Sequence, residues 1–107
     1  MSKFLVLYRA PVSARELMAS ITPEQAQAGM QAWMGWAEKA GDAVVDLGAP
    51  LGEGATIGDG GNDQATGFSI LEADSQDAAE QLLSDHPHLH TPGASIAVHE
   101  FLAMPGM

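Results

Sequence analysis

Short segments of two different periodicities alternate along this chain, and their order leaves few folds open. Lys3 to Arg9 (Lys-Phe-Leu-Val-Leu-Tyr-Arg) is continuously apolar at its centre and bounded by Pro11, as expected of a strand covered on both faces. Residues 10–21 connect onward, with a short turn of helix at Ala14 to Ala19. Thr22-Pro23-Glu24-Gln25 then starts a helix. Thr22 can cap, Pro23 suits the first helical position, and Gln25 completes a capping box. Ala26, Met30, Trp33, Ala37 and Ala40 follow as an amphipathic stripe that Met34 and Trp36 widen, and Gly41 stops the helix.

Ala43 to Leu47 reads as a second strand, ending in Gly48-Ala49-Pro50. From Gly52 to Gly67 the chain is a long connection rich in Gly, Asp and Asn, with Ile57 its only large apolar residue. Gly67 to Ala73 is a third strand. Asp74 or Ser75 caps a second helix with Ala78, Ala79, Leu82 and Leu83 on one face. A fourth strand lies within Ala94 to Leu102, Ile96 and Val98 pointing one way and Ala97, His99 and Phe101 the other. The order β-α-β-β-α-β predicts an α+β, ferredoxin-like fold: an antiparallel four-stranded sheet with both helices on one face. Leu5, Leu7, Ile70 or Leu71, Val98 and Phe101 put apolar groups on both sides of that sheet. A second copy of the chain is the simplest cover for the helix-free face, so a homodimer is expected.

The 107 residues fit a single domain, 1–107. Four basic residues stand against 14 acids, a formal net charge of −10, which disfavours nucleic acid and anionic lipid as partners. The absence of cysteine removes thiol catalysis, disulfides and Cys-ligated zinc. Phe4 to Tyr8 is too short for a secretory or spanning segment, so the expected location is the cytoplasm.

The chemistry concentrates at residues 85–90, Asp-His-Pro-His-Leu-His. Imidazoles at a strand entrance can transfer protons or bind metal. His86 and His88 are candidate acid–base catalysts, with Asp85 as an orienting carboxylate. His86, His88 and His90 would share one side of an extended segment as a metal site needs, with Asp85 or His99 as further ligand, but Pro87 and Pro92 argue for an irregular loop and no metal is assigned. Arg9, emerging from the first strand, is the candidate anchor for a carboxylate-bearing substrate; the plainer alternative is an ion pair with Asp46 or Glu72. Trp33 and Trp36 read as core or interface. Gly58-Asp59-Gly60-Gly61-Asn62-Asp63 lacks the phosphate-loop and calcium-loop patterns and reads as a turn. No serine has a nucleophile-elbow context, and no cofactor is expected.

Phe4-Leu5-Val6-Leu7-Tyr8, Gly48-Ala49-Pro50-Leu51, and Asp85-His86-Pro87-His88-Leu89 leading through Gly93 into Ser95 to Phe101 together carry a resemblance. Over nearly its full length the chain resembles the YCII-related (YciI-like) bacterial proteins of the dimeric α+β barrel superfamily. The resemblance implies a dimer with pockets between open sheet faces and helices, and for parts of that family a His–Asp acid–base pair. The family histidine falls on the first helix, where this chain has Gln25, Gln27 and Gln31. The family aspartate before proline aligns with His86, so that pair does not carry over. The expectation is an acid–base enzyme acting on a small organic molecule in a pocket of the homodimer. The alternatives are a non-catalytic small-ligand-binding or accessory dimerisation domain and, behind it, a metal-binding protein using His86, His88 and His90.

Overall fold

The computed structural model describes residues 1–60 and 64–106. Its elements are β1 (Ser2–Arg9), α1 (Ala14–Ser20), α2 (Pro23–Ala40), β2 (Val44–Pro50), β3 (Ala65–Ala73), α3 (Gln76–Leu83) and β4 (Ser95–Glu100). Single 3-10 turns lie at Gly41–Ala43 and Pro87–His90. The strands form one antiparallel sheet in the order β2-β3-β1-β4, the ferredoxin-like arrangement the sequence predicts. Residues 61–63 of the Gly58–Asp63 turn lie outside the described residues. Among the described residues no helix is long and apolar enough to cross a membrane.

Alternation along β1 sorts the two faces of the sheet. Phe4, Val6 and Tyr8 are buried on the side of α2 and α3, where Leu71, Ala73, Ala79 and Leu83 join them. Leu5, Leu7 and Arg9 are half-buried on the other side. Register sets Leu5 between Ile70 and His99, and Leu7 between Phe68 and Ala97, so the helix-free face carries a continuous apolar centre. Of the pair left open by the sequence, Ile70 takes that face and Leu71 the core. Val98 also packs on the helix side.

Helix α2 starts on the capping box expected of it: Thr22 Oγ1 accepts from the Gln25 amide at 3.1 Å, and Gln25 Oε1 accepts from the Thr22 amide at 2.9 Å. Its C-terminal half docks through Trp36, with Trp33, Ala37 and Ala40 alongside. The Trp36 indole N–H donates to the Leu82 carbonyl at 2.7 Å and so ties α2 to α3. The N-terminal half corrects the expected stripe. Every residue from Pro23 to Ala32 is exposed, Ala26 and Met30 included. Eighteen residues span about 27 Å, and the helix meets the core only from Trp33 onward, so its first half stands clear of the layer beneath. The radius of gyration, 14.8 Å, accordingly exceeds the roughly 13 Å of a close-packed chain this long.

β2 runs to Pro50, three residues beyond the expected end, by way of a bulge between Asp46 and Ala49. Asp46 Oδ1 accepts from the Gly48 amide at 2.8 Å, and Gly48 takes φ +84°. The bulge turns the Leu47 carbonyl to the Ser69 hydroxyl, which donates to it at 2.6 Å. That spends the serine proton, so the Tyr8 hydroxyl donates to Ser69 Oγ at 2.8 Å, and the chain of bonds closes inside the core. A Cβ on Gly48 would lie 1.6 Å from the Phe68 carbonyl oxygen. Gly48→Ala is therefore expected to lower the unfolding free energy by on the order of 3 kcal/mol in urea titration. An unchanged midpoint would show that the bulge relaxes freely.

Candidate functional site

The His-rich segment is a capped 3-10 turn wedged under α2. Pro87 occupies its first position and His86 its N-cap, where backbone is extended (φ −63°, ψ 138°). His86 Nδ1 accepts the His88 backbone N–H at 3.0 Å. A nitrogen that accepts carries no proton, so the neutral His86 ring holds its proton on Nε2. That Nε2 is buried and has no hydrogen-bond partner among the described residues. Aromatic rings surround it: the centroids of Trp33 and Trp36 lie 4.4 Å away at 87° and 62°, and that of Tyr8 lies 4.9 Å away at 31°. The residue is fully buried, and burial is the largest cause that brings its pKa down to about 4. The neighbouring His88 lowers it further and the Asp85 charge opposes the shift.

His88 faces differently. Its ring packs edge-on to Tyr8 at 5.3 Å, and its Nε2 lies 2.9 Å from the Arg9 carbonyl oxygen. A carbonyl can only accept, so Nε2–H is the donor and the neutral ring keeps its lone pair on Nδ1. The imidazole thus hangs from the last residue of β1. His90 is exposed, which separates it from the two buried histidines. The i, i+2, i+4 alternation does not put the three rings on one side, because the turn winds them around its axis. Among the described residues no group of three His, Asp or Glu side chains could hold a metal ion.

Asp85 is exposed and bonded to the Lys39 ammonium rather than to either imidazole. That bond and the ammonium charge hold its carboxyl below the usual carboxylate range. Orientation of His86 comes instead from the peptide of His88. Arg9 makes neither of the expected ion pairs. The ion pairs found among the described residues join Arg15 to Glu53 and Lys39 to Asp85, and the buried Nε of Arg9 has no acceptor.

Two surface clefts are evident, and no histidine lines either. One of about 500 Å³ runs between the chain after β1 (Ala10 to Ala14) and the β2–β3 connection. The other, of about 480 Å³, lies between the end of α2 and α3 and includes Trp36, Lys39 and Asp85. In the single chain Trp33 and Trp36 occupy the space beside His86. Sequence reasoning missed Tyr8 and Ser69 as the polar groups beneath the imidazoles. The available signal was a hydroxyl breaking the apolar run Phe68-Ser69-Ile70-Leu71.

The depressed His86 pKa fixes a sign. The folded protein leaves this ring neutral while the unfolded chain protonates it near pH 6.5, so stability is full above that value and falls as pH drops. Between pH 6.5 and pH 4 this group alone removes about 3 kcal/mol, at about 1.4 kcal/mol per pH unit. Urea titrations of the wild type and His86→Leu from pH 7.5 to 5 are expected to diverge accordingly, with the flatter profile in the variant. Parallel profiles would show that His86 does not control acid sensitivity.

No protein-family model matches the chain, and no curated protein sequence matches it significantly. Among solved structures it is similar to 5-chloro-2-hydroxyhydroquinone dehydrochlorinase (TftG) from Burkholderia phenoliruptrix AC1100, determined in complex with 2,5-dihydroxybenzoquinone. The TM-score is 0.56 at 19% sequence identity, over 95% of this chain and 94% of that one. At that identity the likeness establishes the α+β ferredoxin-like fold.

Proposed function

We propose that the protein is a homodimeric enzyme of the dimeric α+β barrel type that performs acid–base chemistry on a small organic molecule. The observation that carries this reading is the His88 ring. Its Nε2–H is fixed on the Arg9 carbonyl, so Nδ1 is a base of defined tautomer at the end of β1, tied through the backbone to the residue whose side-chain Nε lacks an acceptor. His88 takes a proton from the bound molecule at Nδ1 and returns it to the molecule or to water. Arg9 anchors an oxygen of that molecule. His86 acts as a positioning residue, because its Nδ1 holds the His88 peptide. Asp85 has no part in the proton transfer. The similar structure belongs to an enzyme of hydroxylated, chlorinated rings, so compounds of that class are the first to test.

The homodimer rests on the apolar centre of the open sheet face, Leu5, Leu7, Phe68, Ile70 and Ala97, and on the resemblance to YCII-like proteins. A second copy facing this surface roofs it without filling it, so that the two sheets enclose a cavity that one chain lacks. A second reading, a ligand-binding domain without catalysis, is favoured by one observation: no imidazole lines either cleft of the single chain.

Light scattering at micromolar concentration is expected to give twice the chain mass of 11.1 kDa; a monomer removes the cavity on which catalysis depends. In a panel of chlorinated and hydroxylated quinols, with and without a ring carboxylate, followed by chloride release and ultraviolet absorbance, the wild type is expected to turn over at least one compound. His88→Asn should then lose roughly 100-fold or more in kcat. Undiminished turnover in that variant removes His88 from the mechanism, and saturable binding without turnover establishes the second reading.

A further inference from the structure

The cation at the end of β1 is a polar group of the open face that the fold leaves unserved. Among the described residues Arg9 Nε is buried without an acceptor, and no carboxylate forms an ion pair with the guanidinium. Both occur in a chain with 14 acidic side chains, where an acid partner was readily available. At the other end of the same face, Lys3 has an acid, Glu72, opposite it in the register, though the two form no ion pair. The position equivalent to Glu72 beside Arg9 is instead Ala65 on one side and Ser95 on the other. A buried guanidinium donor without an acceptor costs more than one left in water, so its retention points to an acceptor brought from outside. Two residues back along β1, the same face is Leu7 flanked by Phe68 and Ala97, a flat apolar floor without charge.

We infer that Arg9 and this floor form a binding site for an organic carboxylate. The carboxylate meets the Arg9 fork and the apolar body of the acid lies over Leu7, Phe68 and Ala97. The planar guanidinium suits a planar two-oxygen anion, and the floor suits a flat hydrocarbon or aromatic body. Ser95, opposite Arg9 in the register, adds a hydroxyl at the carboxylate end. The inference deepens the functional proposal and rests on its reading of this end of β1 as the ligand end; it narrows the ring compounds named there to those that carry a carboxylate.

Calorimetric titration of the full chain at pH 7 with benzoate and with uncharged benzamide tests it. Benzoate is expected to bind, with benzamide roughly tenfold weaker or worse, since the two differ in the charge that Arg9 recognises. Arg9→Met should weaken benzoate by at least about tenfold while leaving the oligomer mass unchanged, and Arg9→Lys should recover part of the loss. If Arg9→Met melts early, the lysine variant decides, together with the loss of wild-type benzoate affinity on adding salt. Equal affinity for benzamide, undiminished binding in Arg9→Met, or no benzoate binding by the wild type overturns the inference. So does dissociation of a dimer by Arg9→Met when the wild type ignores benzoate, because the acceptor is then a carboxylate of the second copy. His88→Asn separates the two claims: benzoate affinity retained with turnover lost supports both. If turnover survives that substitution, the base assignment fails and the anion site stands.

Discussion

An imidazole without solvent contact must stay neutral, and the architecture around His86 follows from where its two nitrogens go. Nδ1 caps the 3-10 turn through the His88 peptide, which fixes the ring and leaves Nε2–H among indole and phenol rings. Edge-on approach of an N–H or C–H to an aromatic face is a weak attraction, and several such contacts offset part of the lost hydration. The same rings are the docking surface of α2. The helix reaches the sheet layer through Trp33 and Trp36, so the contact that neutralises the histidine also seats the helix. The neutrality of the ring and the seating of the helix cannot be varied separately at this point of the core.

β1 is the element that both halves of the site share. Its even residues Phe4, Val6 and Tyr8 build the core, and its odd residues Leu5, Leu7 and Arg9 build the opposite face. Arg9, at its end, serves both. Its carbonyl receives the His88 proton donor and its side chain belongs to the open face. The His88 imidazole is thereby tied by one hydrogen bond to the backbone of the residue that carries the cation, the ring on one side of the strand and the guanidinium on the other. Rigid backbone support of this kind holds relative geometry better than side-chain contact across a mobile connection.

The fold was legible because its signals are local. Thr22, Pro23 and Gln25 announce a helix start and Gly41 its stop, and the structure has both. Ser75 caps α3. The bulge that lengthens β2 was not legible: it depends on Phe68 passing 20 residues away in sequence, which no local pattern encodes. The overhang of α2 had the same cause, since a stripe reports which face is apolar but not how far the opposing layer extends. At the site, the concentration of histidines was visible and their inequality was not. Spacing suggested three rings on one side, whereas the turn buries two and exposes one. The pairing of Asp85 with Lys39 spans 46 residues and could not be read from either neighbourhood.

The free half of α2 gives the molecule a lever. From Trp33 back to Thr22 the helix extends roughly 15 Å past its fulcrum on the aromatic cluster. Any small reorientation of the two indoles is magnified there: a tilt of about 10° carries the tip by nearly 3 Å on the same geometry. Repacking around one imidazole ring would on this geometry displace the far end of the longest helix most, where the capping box closes the first turn.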